Sequence, residues 1–223
     1  MGRLAVILGS SAAGPGGGEI VAAAERHGAF VLQRHGDGGA YVLPHAIDHA
    51  ANLRSLLEAG CDRVLSICSV GSLDAGIGVG SFVCPDDFIA LQVTVTTFEG
   101  SRGHAMPGFD AKWRREVIDA WAASAGALRD GGVYWQTNGP RFETPAEIKL
   151  IAAHADLVGM TLASECIVAG ELGLPYAAIC VVDNLANGIA AQPLTTAEVE
   201  AHREANAARL RDALDALLPR LSA

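Results

Sequence analysis

Short, unbroken apolar runs alternate along this chain with longer stretches whose apolar residues recur at helical spacing. "RLAVILG" (3–9) reads as a buried strand and breaks into "SSAAGPGGG", too glycine-rich for helix or strand. "AFVLQRH" and "AYVLPH" predict a second and third strand separated by "GDGG". "AIDHAANLRSLLEAG" predicts a helix that stops at Gly60. "DRVLSICSVGS" is another buried strand, and "GIGVGSFVCPDDFIALQVTVT" reads as glycine-interrupted strand. Helical spacing returns in "DAKWRREVIDAWAASAG", followed by the strand "GGVYWQTNG". In "RFETPAEIKLIAAHA", Thr144 with Glu147 three residues on makes a capping box, and Pro145 occupies the first helical position. "ADLVGM" is a short strand, and Thr161 precedes the helix "LASECIVAGELG". "LPYAAICVV" is a strand, and residues 196–221 form a long terminal helix. Strands alternate with helices throughout without a linker or repeat, which predicts one α/β domain over 1–223 on a parallel or mixed sheet.

Composition narrows the class. Half of the 223 residues are apolar and 18% are charged, the balance of a folded chain and not a disordered one. The net charge of −9 disfavours nucleic acid or an anionic membrane as partner, so an anionic substrate needs a local cluster of donors. Five cysteines in apolar runs, without C-x-x-C spacing, read as buried thiols in a reducing compartment. "LAVIL" is too short for a signal-peptide core, and no apolar run reaches membrane-spanning length, so the expected location is cytoplasmic.

In open α/β sheets ligands bind beyond the carboxyl ends of strands. Those ends carry Gly9-Ser10-Ser11, Arg34-His35, Cys68-Ser69-Val70, Met160-Thr161 and Asp183-Asn184. Hydroxyls, backbone N–H groups, the fork of Arg34 and the helix start at Thr161 together describe an oxyanion cradle. Each piece also has a plain alternative: Ser10 and Ser11 as caps, Arg34-His35 as a surface pair, Thr161 as a simple N-cap, Asp183-Asn184 as a closing turn. His45, His49 and His104 show no metal spacing, so no metal is expected. The absence of G-x-S-x-G weakens a covalent hydrolase.

"ILGSS", "RHG", "PHAIDHAAN", "SVGSL", "NGPRFETPAEI", "GMTLASE" and "CVVDNLANG" occur in the order of, and resemble, the motifs of the trimeric purine nucleoside phosphorylase and methylthioadenosine phosphorylase family. The resemblance covers nearly the whole chain. It implies a phosphorylase-type three-layer α/β fold, with a central mixed, partly barrel-like sheet flanked by helices, assembled as a homotrimer. It also implies cleavage of a purine N-glycosidic bond by inorganic phosphate as co-substrate, without a cofactor.

Carried over by position, the phosphate contacts fall on Ser11 or Ser10, Arg34, His35 and Thr161. Cys68, Ser69 and Val70 run along the ligand, Phe142 covers the purine, Met160 lies under the ribose, and Glu143 and Asn184 reach the purine edge. His104 is similar to a histidine near the sugar of a neighbouring subunit, and Val199 lies on the terminal helix near the 5′ group. Asp183 is placed beside Asn184 as an orienting or ligand-facing group, where the family more often has a small hydroxyl residue. Asn184, Asp183 and His35 form the expected catalytic set. An ionised Glu143 suits the N1–H of a 6-oxopurine, and Asn184 stands where members acting on 6-aminopurines tend to carry aspartate. A 6-oxopurine nucleoside is therefore the expected substrate, 5′-deoxy and 5′-methylthio forms included. A 6-aminopurine methylthioadenosine phosphorylase, a nucleosidase and a catalytically weak nucleoside-binding member are the alternatives. The chain departs from the family in lacking the histidine that often follows "RHG", in Ala163-Ser164, and in Thr196 and Glu200 on the terminal helix.

Overall fold

The computed structural model describes residues 2–222 except 15, 38, 39 and 193. Its spine is three parallel strands, β1 (Arg3–Leu8), β3 (Cys61–Ser72) and β9 (Tyr176–Leu185), with β3 between the other two. Period-two alternation sorts their side chains onto two faces. Leu4, Val6, Leu8, Leu65, Ile67, Ala177, Ile179 and Val181 join one core. Ala5, Ile7, Val64, Cys68, Ala178, Cys180 and Val182 join another. Helices α1 (Gly17–Arg26), α3 (Ala111–Ala122) and α6 (Thr196–Leu221) cover the first face, and α2 (His49–Glu58) and α5 (Leu162–Glu171) the second. Both faces of the spine are thus buried, which is why its strands read as continuous apolar runs.

The remaining strands extend and curl the sheet. β2 (Phe30–Gln33) adds to β1, and β4 (Phe82–Cys84) runs antiparallel to β9 and carries β6 (Arg129–Asp130). The carboxyl half of β3 leaves β1 and pairs antiparallel with β8 (Leu157–Gly159). β8 continues through β7 (Val133–Gln136) to β5 (Asp87–Ile89). Because β3 changes partners along its length, the sheet closes partway, giving the mixed, half-barrel α/β architecture expected.

The capping box before α4 (Pro145–Ile151) forms as predicted: Glu147 N–H donates to Thr144 Oγ1 at 3.3 Å, and Thr144 N–H to Glu147 Oε2 at 2.7 Å. Three expectations need correction. Residues 10–18 are not wholly irregular, since α1 starts at Gly17 within them. "AYVLPH" is no strand: Tyr41 stacks on His35 with ring centroids 4.5 Å apart, and Val42 exchanges hydrogen bonds with that same residue. "LQVTVT" leaves the sheet because Glu171 of α5 accepts from Thr96 and Thr97, tying the segment to that helix.

Candidate active site

The carboxyl ends of β1, β2, β3 and β9 converge with the segment after β8 on one cavity. Ser10, Arg34, His35 and Thr161, the residues of the expected oxyanion cradle, all line it. Arg34 is 3% exposed, and its fork is held from behind. Its Nε donates to Glu165 Oε1 at 2.5 Å and Nη2 to Glu165 Oε2 at 3.3 Å, while Nη1 reaches the carbonyl of Ile67 at 3.1 Å. Glu165 also accepts from Ser66 Oγ (2.7 Å) and Tyr176 Oη (2.8 Å). Burial opposes the charge of Glu165, but Arg34 beside it, with His49 and these hydrogen bonds, outweighs that and holds the carboxyl below its usual range. Burial likewise opposes the charge of Arg34, and Glu165 reverses the balance, so the guanidinium stays protonated. The glycine of "ILGSS" makes room for this arrangement, since a Cβ on Gly9 would stand 2.3 Å from Arg34 Nη1.

His35 is buried, and that desolvation lowers its pKa to about 4, with Arg34 adding to the effect. Its Nδ1 lies 2.8 Å from the carbonyl of Val42. A carbonyl only accepts, so Nδ1 carries the proton and Nε2 presents a lone pair. Thr161 stands at the N-cap of α5 but makes no side-chain cap bond, leaving its hydroxyl uncommitted. Three of the amides at the start of α5 are already taken, which narrows the anion-favouring helix terminus expected there. Tyr134 Oη accepts from Thr161 N–H (3.3 Å) and Leu162 N–H (3.5 Å), and Gln136 Oε1 from Ser164 N–H (3.0 Å).

The same cavity is lined by Phe142, Glu143 and Asn184, and by Met160 and Pro140. Glu143 Oε1 accepts from Thr137 Oγ1 at 2.6 Å, while Oε2 has no partner among the described residues; Glu143 lines this cavity and also a second one beside Arg141 and Glu147. Asn184 Nδ2 donates one hydrogen to the carbonyl of Leu185 at 3.0 Å and keeps the second. Side-chain-free Gly71 opposite admits this amide, Nδ2 lying 3.1 Å from where a Cβ would be.

Asp183 and Asn184 part company at a bulge. Val70 pairs with Val182, but the next residue, Gly71, pairs with Asn184, so Asp183 is the extra residue of β9. Asn184 is turned into the cavity. Asp183, 1% exposed, faces α6, where it accepts from Asn206 Nδ2 at 2.8 Å and from Ser69 Oγ.

Among the other expected residues, Ser69, Val70 and Val199 line the cavity. Ser11 does not: its hydroxyl is buried without a partner, and Ser10 takes the lining position. Cys68 points into the core against Arg34 and Ser66, so the stretch of β3 along the cavity is Ser69 to Gly71, one residue later than expected. Asp183 supports the wall and is not part of it. His104 is exposed on the 99–108 segment, away from this chain's own cavity. Unforeseen were Glu165, Tyr41 and Arg203. Glu165 stood in plain view in "GMTLASE", and its signal was a carboxylate among the apolar residues of the first turns of α5, with the helix's other acid, Glu171, at its far end. Among the described residues no group of three or more His, Cys, Asp or Glu is arranged to hold a metal ion, and no helix is long and apolar enough to cross a membrane.

Hydroxyls and a guanidinium sharing one cavity with a carboxylate, an amide and an aromatic ring make a set of groups suited to an anion together with a heterocycle. The family model described as the phosphorylase superfamily matches residues 13–219. The chain belongs to the phosphorylase superfamily. A probable 6-oxopurine nucleoside phosphorylase of Archaeoglobus fulgidus is 41% identical over 178 residues, covering 79% of this chain and 73% of the relative. A probable S-methyl-5′-thioinosine phosphorylase of Xanthomonas campestris is 34% identical, covering 86% and 80%. Methylthioadenosine phosphorylase of Schistosoma mansoni, solved with adenine, superposes with a TM-score of 0.79 at 21% identity over 97% of this chain and 91% of that one. This phosphorylase is thus an enzyme of the pentosyltransferase type that cleaves the glycosidic bond of a purine nucleoside with phosphate.

Proposed function

We propose that the phosphorylase acts on 6-oxopurine nucleosides, with phosphate in the Ser10–Arg34–His35–Thr161 cradle and the base against Phe142, Glu143 and Asn184. Arg34, aimed by Glu165, and the hydroxyls of Thr161 and Ser10 donate to phosphate oxygens. The His35 Nε2 lone pair accepts the remaining phosphate proton. Held there, phosphate attacks C1′ as the C1′–N9 bond breaks and its electron pair moves into the purine. The free hydrogen of Asn184 Nδ2 meets the charge developing at N7, and this interaction strengthens in the transition state. Phosphate, close and oriented, serves as nucleophile and as counter-charge to the cationic sugar, so no covalent enzyme intermediate is required.

The observation that carries the base assignment is Glu143, a carboxylate with one oxygen unpartnered among the described residues, in a cavity it shares with a donor-presenting Asn184. A 6-oxopurine offers N1–H to the one and N7 to the other. Adenine sets its own N1 lone pair against the carboxylate, a buried mismatch of about 1–3 kcal/mol. The 6-oxopurine names of relatives such as that of Archaeoglobus fulgidus support this reading. The second reading, a 6-aminopurine enzyme, draws on the likeness to the Schistosoma mansoni methylthioadenosine phosphorylase, which at 21% identity is a likeness of fold. The homotrimer implied by the resemblance belongs to the same proposal, and with it a place for His104 at a neighbouring subunit's sugar.

Inosine, guanosine and adenosine, each with and without phosphate, decide the matter. Phosphate-dependent release of hypoxanthine or guanine in preference to adenine is expected. Preference for adenosine overturns the base assignment, and turnover unchanged without phosphate makes the enzyme a nucleosidase. Asn184→Asp is expected to shift kcat/KM toward adenosine by roughly tenfold or more; an unmoved ratio removes Asn184 from base reading.

A further inference from the structure

Arg203 of α6 lines the same cavity, yet neither the cradle nor the base-reading pair uses it. Its Nε is buried with no hydrogen-bond partner, and it joins none of the ion pairs among the described residues. Arg114 also has a buried, unpartnered Nε, but its Nη2 donates to Asp130 and to the Cys84 carbonyl and it does not line this cavity. Arg34 is balanced by Glu165, Arg211 by Glu19 and Asp212, and Arg209 lies over the ring of Phe82. A buried guanidinium N–H without an acceptor is costly, and here it marks a cationic fork that the protein itself leaves unsatisfied, with its remaining donors in the cavity wall.

The position of Arg203 says which part of the ligand that is. With phosphate at Ser10 and Thr161 and the base at Phe142 and Asn184, C1′ of the sugar lies between the two. The sugar's longest remaining substituent, the 5′ arm, then meets the wall that neither end uses. That wall is Leu43, Leu194 and Val199, with Arg203 its one charged group. A purely apolar wall suits a 5′-methylthio group. This one contains a cationic fork, and a thioether sulfur is only a weak acceptor.

We propose that Arg203 reads the 5′ end of the nucleoside and selects a 5′ oxygen, whether hydroxyl or anionic, over a 5′-methylthio group. This rests on the placement of phosphate and base given under Proposed function. A site built to hydrogen-bond one substituent discriminates strongly against its apolar replacement, because the site's own donor is left unpaired.

The test measures kcat/KM for inosine, 5′-deoxyinosine and 5′-methylthioinosine, and KM for phosphate, in wild type, Arg203→Met and Arg203→Lys. Binding of the same nucleosides and of inosine 5′-monophosphate, measured by calorimetry without phosphate, is independent of turnover. Wild type is expected to favour inosine over 5′-methylthioinosine by about tenfold or more. Arg203→Met should erase or invert that ratio while leaving KM for phosphate unchanged, and Arg203→Lys should restore part of it. Tighter binding of the monophosphate than of inosine assigns the anionic oxygen, and the reverse assigns the hydroxyl. A ratio that does not move in Arg203→Met overturns the proposal, as does a raised phosphate KM alone, which would put Arg203 in the cradle. Wild type that neither binds nor cleaves any purine nucleoside fails at the earlier step, the reading of the cavity itself.

Discussion

At the scale of single residues, the bulge at Asp183 does the most to define the site. Inserting one residue into β9 lets adjacent polar side chains serve opposite faces, Asn184 the cavity and Asp183 the scaffold. Among the described residues Asp183 is the one acceptor for Ser69 Oγ, and it draws Asn206 of α6 onto the strand, so it fixes two lining elements at once. Asp183→Ala removes the acceptor for two donors and leaves at least one buried and unpaired. The expected loss of unfolding free energy is about 1–3 kcal/mol by urea denaturation. Asp183→Asn, which keeps an acceptor oxygen, is expected to lose less. An Asp183→Ala variant as stable as wild type would mean that water replaces the carboxylate there, and the scaffold role would fall.

At the scale of elements, α5 shows how the core and the site share parts. Its N-terminus is held by Tyr134 Oη on β7, an aromatic wholly inside the core and bonded to the amides of Thr161 and Leu162. Tyr134→Phe keeps the packing and deletes that acceptor. About 1–3 kcal/mol of stability should go with it, and KM for phosphate should rise because Thr161 loses its anchor. An unchanged phosphate KM in a destabilised variant would separate the helix start from the cradle.

The same element shows what was legible in the chain. The spine strands, the capping box at Thr144 and the terminal helix follow local rules of periodicity and capping, and Arg34, Thr161 and Asn184 could be placed at strand ends. Partners set by tertiary contact could not. Nothing local says that Tyr134 caps α5, that Glu165 faces Arg34 across 131 residues, or that "AYVLPH" forgoes pairing to stack on His35. Arg203 was hidden among the charges of a long amphipathic helix. The order of Asp183 and Asn184 depended on a bulge that period-two reading does not show.

At the scale of the whole molecule, a chain of net charge −9 must hold an anion in its interior, and the proposed cradle meets that demand without a charged histidine. Desolvation depresses His35 to about 4 and also lowers His49, so both rings are neutral in the folded protein at neutral pH. Above about 6.5 the unfolded chain's histidines are neutral as well, and neither residue affects stability. As the pH falls from about 6.5 toward 4, the unfolded state takes up protons that folded His35 refuses, so stability declines through that window. Asp183 acts in the opposite sense. Burial raises its pKa against the pull of Ser69 and Asn206, so the folded state gains protons first near its own titration and offsets part of the loss. The direct measurement is the NMR titration of the His35 ring, assigned with His35→Gln, beside urea midpoints across the same range. A His35 midpoint near 4 is expected, with stability falling below about 6.5 and less steeply in His35→Gln. A midpoint at the ordinary value of about 6.5 would mean that the ring is hydrated and protonates freely, and His35 would then act on phosphate as a cation instead of as an acceptor.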